Sequence, residues 1–141
     1  MDSTDLVDML SRAFREMPTS GIVSAYLFGR HAAGTAHRES DIDVGVLLDW
    51  KAFPDAGARF DERVRLGTVL GGALRRNDVD LVILNDAPPQ FARHVLTTGR
   101  RVFCRDAEAD HAFLRTTLSR AADLEPFLRR TRRIKLDAIR R

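Results

Sequence analysis

The chain has 141 residues, of which 44% are hydrophobic and 30% are charged, with a net charge of +3 and one cysteine. This length suits one domain with a substantial core, and the lone Cys104 excludes an internal disulfide. No apolar run approaches the roughly 20 residues that cross a bilayer, and the acidic N-terminus is unlike a signal peptide, so we expect a cytoplasmic protein without membrane association.

The first third of the chain predicts a helix followed by two strands. Leu6 to Phe14 carry apolar side chains at helical spacing, and this helix ends before Pro18. Branched and aromatic residues at 22–28 predict a buried strand that stops at Gly29. A short helical turn and a loop then lead to a second apolar strand.

The middle of the chain predicts a long helix and a third strand. A helix of about five turns begins near Asp55. One side of it is expected to be apolar, formed by Phe60, Val64, Leu66, Gly67, Val69, Leu70, Ala73 and Leu74. Residues 78–84 repeat the pattern of the second strand and predict the third one.

The last part of the chain predicts a helix, a short strand and a helical segment. The helix lies between Pro88 and Gly99, and residues 101–105 form the strand. Helical spacing resumes at Ala107, but Pro126 is expected to kink or restart that helix. Strands that alternate with helices indicate an α/β (α+β) fold, in which helices flank a sheet.

Two aspartates interrupt the apolar run of the second strand. Asp41 and Asp43 are one residue apart, so in a strand both project to the same face, while Ile42 and Val44 project to the other. Two carboxylates so close together repel each other unless a cation neutralises them, and Mg²⁺ prefers such oxygen ligands. Asp80 provides a third carboxylate on a later strand. The spacing therefore predicts a metal site, with the alternative of a half-exposed strand whose polar face carries two aspartates.

The order of these residues resembles a known family. Gly29 and Arg30 are followed by ten residues and then by Asp41-Ile42-Asp43, with Asp80 after an intervening helix. This resembles the signature of the DNA polymerase beta-type nucleotidyltransferase superfamily: Gly-Ser, ten residues, Asp-x-Asp and a later acid. The segments at 26–29, 34–43, 78–82 and 95–103 look like the minimal nucleotidyltransferases that are antitoxins of HEPN-domain toxins, the MntA-like group.

The resemblance implies a fold and a set of roles. It implies a polymerase beta-like fold with a mixed sheet, a nucleotidyltransferase domain at 1–106 and a helical extension at 107–141. Asp41, Asp43 and Asp80 would be the catalytic acids and the ligands of two Mg²⁺ ions. The residues that would bind the triphosphate of the substrate ATP are Gly29, Arg30, Arg38 and Ser40.

One residue departs from the family signature. Arg30 stands where the family has a serine that binds the triphosphate. Its guanidinium either binds the phosphates directly or blocks them and leaves a protein with the fold but without activity. We favour retained activity, because all three carboxylates are present.

The resemblance also implies a substrate and a partner. The predicted reaction transfers AMP from ATP to a tyrosine of a HEPN ribonuclease toxin, which forms a hetero-oligomer with this chain. A silent antitoxin that acts by docking is one alternative. Nucleic-acid binding is another, since residues 112–141 contain nine basic and three acidic side chains. Few aromatic residues accompany that charge, so we do not expect nucleic acid to be the partner.

Overall fold

The computed structural model describes residues 3–17, 21–36 and 41–140. These residues form four strands, five α-helices and one 3-10 helix at Leu84–Asp86, and the strands and α-helices follow the order predicted from the sequence. The elements are α1 (Ser3–Glu16), β1 (Ile22–Phe28), α2 (Arg30–Ala33), β2 (Ile42–Leu48), α3 (Ala56–Leu74), β3 (Val79–Ile83), α4 (Pro89–Thr98), β4 (Arg100–Cys104) and α5 (Ala107–Arg140). None of these helices is long and apolar enough to span a membrane.

The four strands form one mixed sheet in the order β3-β2-β1-β4. Strand β1 is antiparallel to both of its neighbours, whereas β2 and β3 are parallel. A parallel pair needs a crossover connection, and α3 supplies it. This arrangement confirms the predicted mixed sheet flanked by helices.

Each face of the sheet is covered by different helices. Alternation along β2 sends Ile42 and Val44 into the larger core cluster, which α1 and α3 complete. On the opposite face Leu47 belongs to a second cluster with residues of α4, and Phe113 of α5 packs against it. Asp43 lies on this second face and is half-buried. The end of the sheet that carries the predicted metal site is therefore partly accessible.

Helix α3 buries a different side from the one that we predicted. Leu66, Leu70 and Leu74 are buried as expected, but Phe60 and Val64 are 57% and 56% exposed. Two charged residues, Arg59 and Glu62, are each only 7% exposed. Arg59 Nε donates to Asp86 Oδ2 at 3.0 Å, and its guanidinium stacks over Trp50. Partners distant in sequence stabilise the Arg59 charge, and Arg65 of the same helix pairs with Glu62, so the apolar pattern alone gave the wrong orientation.

Helix α5 continues through Pro126, so the helix does not restart there as one alternative predicted. A proline in a helix removes the hydrogen bond to the carbonyl four residues earlier. That carbonyl belongs to Ala122, which is exposed, so water can replace the lost donor.

A buried carboxylate joins α5 to the sheet. Asp110 is 4% exposed and accepts hydrogen bonds from the Tyr26 hydroxyl at 2.8 Å and the Ser24 hydroxyl at 2.5 Å. Arg101 completes the group with an ion pair at 3.2 Å. Burial, followed by the hydrogen bond to Asp110, raises the pKa of Tyr26, so the hydroxyl keeps its proton and remains a donor. This contact was not predicted from the sequence, because its members come from three separate elements, α5, β1 and β4.

Candidate active site

Asp43 and Asp80 occupy paired positions on the parallel strands β2 and β3. Paired residues project to the same face, and neighbouring strands lie about 4.8 Å apart, so the two carboxylates approach each other. Asp41 directly precedes β2 and is exposed, and its charge acts on the carboxyl of Asp43. The structure thus brings the three predicted acids to one end of the sheet.

The pKa of Asp43 is raised above its usual value. The largest cause is loss of contact with water, and the negative charges of Asp80 and then Asp41 raise the pKa further. His31 partly opposes these effects. A carboxyl whose ionisation is disfavoured by burial and by two like charges gains most from a nearby cation.

The donor set suits Mg²⁺ bound together with a nucleotide. Within the described ranges, no three acidic, histidine or cysteine side chains are grouped so that they could hold a metal ion by themselves. Mg²⁺ usually takes only one or two carboxylates and completes its shell with water and substrate phosphates. Asp43 and Asp80 can supply such oxygen ligands, so the residues fit a magnesium–nucleotide complex.

Gly29 makes room for the Asp43 carboxylate. Its φ of 74° and ψ of −151° lie in a region that is essentially restricted to glycine. A Cβ atom at this position would also overlap Oδ2 of Asp43. We predicted that Gly29 binds the triphosphate, and the structure adds a close approach to Asp43, a predicted metal ligand.

Arg30 begins the four-residue helix α2 and is exposed. The carbonyl of Arg30 accepts the Thr35 N–H at 3.0 Å, which fixes the backbone of this turn. Because α2 is a single turn, its dipole adds little to the binding of an anion. The binding role predicted for Arg30 therefore depends on its side chain. Arg38 and Ser40 lie outside the described residues, as does His37.

Two further polar residues lie near the acids. His31 lies in α2 and is 8% exposed. Its charge lowers the pKa of both Asp43 and Asp78. Asp78 accepts a hydrogen bond from Arg76 Nε at 2.7 Å, and this bond is the main cause of its lowered pKa. Asp78 is thus neutralised by a protein partner.

Asp80 also lines a groove between α3 and the outer edge of β3, with a volume of about 720 Å³. Phe60 and Val64 form its apolar part. Arg63 Nε donates to the carbonyl of Leu81 at 2.8 Å and so covers part of the edge backbone. The groove gives a second molecule access to Asp80 from the side of the sheet.

The fold and the acids identify the class of protein. Residues 11–108 match the profile of the family described as "Polymerase beta, Nucleotidyltransferase". This match covers more than half of the chain, and the chain therefore belongs to that family.

The chain is also similar to one individual nucleotidyltransferase. The chain is 35% identical over 94 residues to the protein adenylyltransferase MntA of Shewanella oneidensis. That alignment covers 67% of this chain and 62% of MntA, so it leaves more than a third of the relative unmatched.

Two solved structures resemble the chain over almost all of its length. One is a toxin–antitoxin crystal structure with AMP-PNP, with a TM-score of 0.64, 28% identity and coverage of 96% and 98% of the two chains. The other is the toxin–antitoxin pair MntA–HepT, with a TM-score of 0.57, 25% identity and coverage of 99% and 97%. The matched regions extend well beyond residues 11–108.

Proposed function

We propose that this chain is a protein adenylyltransferase antitoxin, which transfers AMP from ATP to a tyrosine of a HEPN-family toxin and so neutralises it. The observation that carries the proposal is the pairing of Asp43 with Asp80 beside the restricted turn at Gly29. Similarity to the adenylyltransferase MntA supports the choice of AMP as the transferred group. The cytoplasm, where ATP is available, stays the predicted location.

The three acids have distinct proposed roles. Asp41 and Asp43 would hold two Mg²⁺ ions, and Asp80 would be a further carboxylate ligand. When bound, these ions stabilise the charge on the attacking and leaving oxygens. The tyrosine oxygen bonds to the α-phosphorus of ATP, the bond to pyrophosphate breaks, and Asp80 accepts the phenolic proton. The exposure of Asp80 supports this last role.

The triphosphate is proposed to lie against the turn that follows β1. Gly29 allows the backbone to approach it closely, and Arg30 contributes a cation in place of the family serine. Arg38 and Ser40 are proposed as further contacts. The similar structure with AMP-PNP supports an adenine nucleotide as the ligand.

A silent antitoxin is the second candidate, because Arg30 replaces the family serine. Co-expression with the toxin separates the two candidates. A catalytic antitoxin loses protection when Asp43→Asn or Asp80→Asn is introduced, whereas a docking antitoxin keeps it. Asp61→Asn, an exposed acid on α3, is the matched control and should protect fully.

A further inference from the structure

The first half of α5 packs against the body of the domain. Asp110 and Thr117 are each 4% exposed, and Ala121 is fully buried. Their spacing of seven and four residues places them on one face of the helix. Gln90 of α4 donates to the carbonyl of Ala121 at 2.9 Å and holds this part of the helix in place.

Beyond Ala121 the helix carries a partly exposed apolar stripe. We define the C-terminal stripe by four residues, Leu124, Phe127, Leu128 and Ile134. Leu124 and Leu128 continue the buried face, whereas Phe127 and Ile134 lie about 100° around the helix from it. Phe127 is 58% exposed and Ile134 is 69% exposed. An apolar stripe that adjoins a buried face but has no cover in the described residues is typical of an interaction surface.

Several polar side chains near the C-terminal stripe interact with one another or with the backbone of α5. Arg129 and Arg132 both pair with Glu125, at 3.2 Å and 3.6 Å. The Thr131 hydroxyl donates to the carbonyl of Phe127 at 3.0 Å. These contacts stabilise the helix without covering the C-terminal stripe.

The charge around the stripe indicates what covers it. Residues 124–135 contain five basic side chains and one acidic side chain, a balance of +4. A second copy of this chain would bring the same charge against it, so self-association is opposed. Nucleic acid would match the charge but would leave the mainly aliphatic stripe largely without a partner. A protein face with an apolar centre and an acidic rim matches both features.

We propose that the C-terminal stripe docks an acidic-rimmed helical face of the acceptor protein, and this choice of partner rests on the proposed function. The stripe lies on a different element from Asp43 and Asp80, so it binds the acceptor without taking part in the chemistry. Binding that is equal in the ground state and the transition state lowers KM and leaves kcat unchanged. Stripe variants therefore affect capture of the acceptor but not the transfer step.

The test uses the full chain and the purified HEPN toxin as the titrant in calorimetry. The double variant Phe127→Asp/Ile134→Asp should weaken the complex by about tenfold or more, because two anchor side chains are lost. Arg130→Glu with Arg133→Glu should also weaken it and reduce its dependence on salt. Leu118→Asp is the control, since Leu118 is 39% exposed on α5 but outside the stripe.

Further measurements separate this proposal from the proposed function. With saturating Mg-ATP, the stripe variants should raise KM for the toxin and leave kcat and ATP affinity unchanged. One outcome is that the wild-type chain modifies the toxin while the stripe variants have the same Kd and KM for the toxin as the wild-type chain. In that case the docking proposal is wrong and the enzymatic proposal stands. Tighter binding to single-stranded RNA or to anionic phosphatidylserine vesicles than to the toxin, lost in Phe127→Asp, would also overturn it.

Discussion

The backbone of Gly29 packs closely against the carboxylate of Asp43. The glycine ends β1 in a conformation that other residues avoid, and the space that a side chain would need is occupied by Oδ2 of Asp43. The turn and the acid are thus coupled by packing, since neither can change without moving the other. The closeness of the Gly29 backbone to Asp43 also links the proposed phosphate site to the proposed metal site.

Replacement of Gly29 by alanine should be more harmful than the same change at Gly34. Both glycines have positive φ, 74° and 76°, but a Cβ on Gly34 meets no atom within 4 Å. We expect Gly34→Ala to cost about 1 kcal/mol of unfolding free energy from backbone strain. Gly29→Ala should cost about 2–3 kcal/mol and weaken Mg-ATP binding. Urea denaturation and calorimetry measure the two effects, and equal losses at both sites would contradict the account.

Asp43→Asn should stabilise the protein in the absence of metal. With EDTA at neutral pH, ionisation of Asp43 in the wild-type chain is opposed by burial and by the charges of Asp80 and Asp41, and the variant removes that cost. Because the folded-state pKa is raised, the stability from this carboxyl is complete below its usual pKa of 3.8 and is lost as pH rises through the folded value. The melting temperature of the variant should exceed that of wild type by a few degrees at neutral pH.

This difference in melting temperature should shrink as the pH falls towards 3.8, the usual pKa of the carboxyl. Asp61→Asn, whose carboxyl is exposed on α3, should show no such pH-dependent gain. A wild-type chain that is more stable than Asp43→Asn in EDTA at neutral pH would show that the acids do not repel each other.

The sequence was sufficient for the features that depend on local pattern. Alternation along β2 placed Asp41 and Asp43 on one face, and Gly29 marked the end of β1. Local pattern did not predict the pairing of Asp43 with Asp80, because the register of two parallel strands depends on how α3 crosses between them. The expectation that the three acids act together came from the resemblance to a family.

Contacts between distant segments explain what the sequence did not predict. Arg59 is buried because Asp86 and Trp50 meet it there, and this turns Phe60 outwards. From the sequence alone, Asp110 would be interpreted as an ordinary surface acid near the start of a helix. Its partners Ser24 and Tyr26 are more than 80 positions away in the chain. The periodicity of apolar residues along the sequence does not predict such long-range pairs.

Asp110→Ala should therefore destabilise the protein strongly. It leaves the buried hydroxyls of Ser24 and Tyr26 without their acceptor, and we expect a loss of about 3 kcal/mol. Asp106→Ala is the control, because it removes only the cap on the Ala109 N–H and should cost about 1 kcal/mol. Urea denaturation compares them, and a smaller loss for Asp110→Ala than for Asp106→Ala would exclude Asp110 as the main tether of α5.

Arg30→Ser tests whether the departure from the family signature preserves activity. If the guanidinium binds the triphosphate, the serine variant should raise the Kd for Mg-ATP by about tenfold, through loss of a charge-assisted contact. Arg12→Ser on α1 should leave the Kd unchanged. Absence of Mg-ATP binding to the wild-type chain, with binding gained in Arg30→Ser, would show instead that Arg30 blocks the site.

The mass of the HEPN toxin after incubation with this chain, ATP and Mg²⁺ tests the central claim most directly. The account predicts that the toxin gains the mass of one or more AMP groups with the wild-type chain and with Asp61→Asn, and gains none with Asp43→Asn or Asp80→Asn. An unchanged toxin mass in a stable complex with the wild-type chain, or an equal gain with Asp80→Asn, would contradict it.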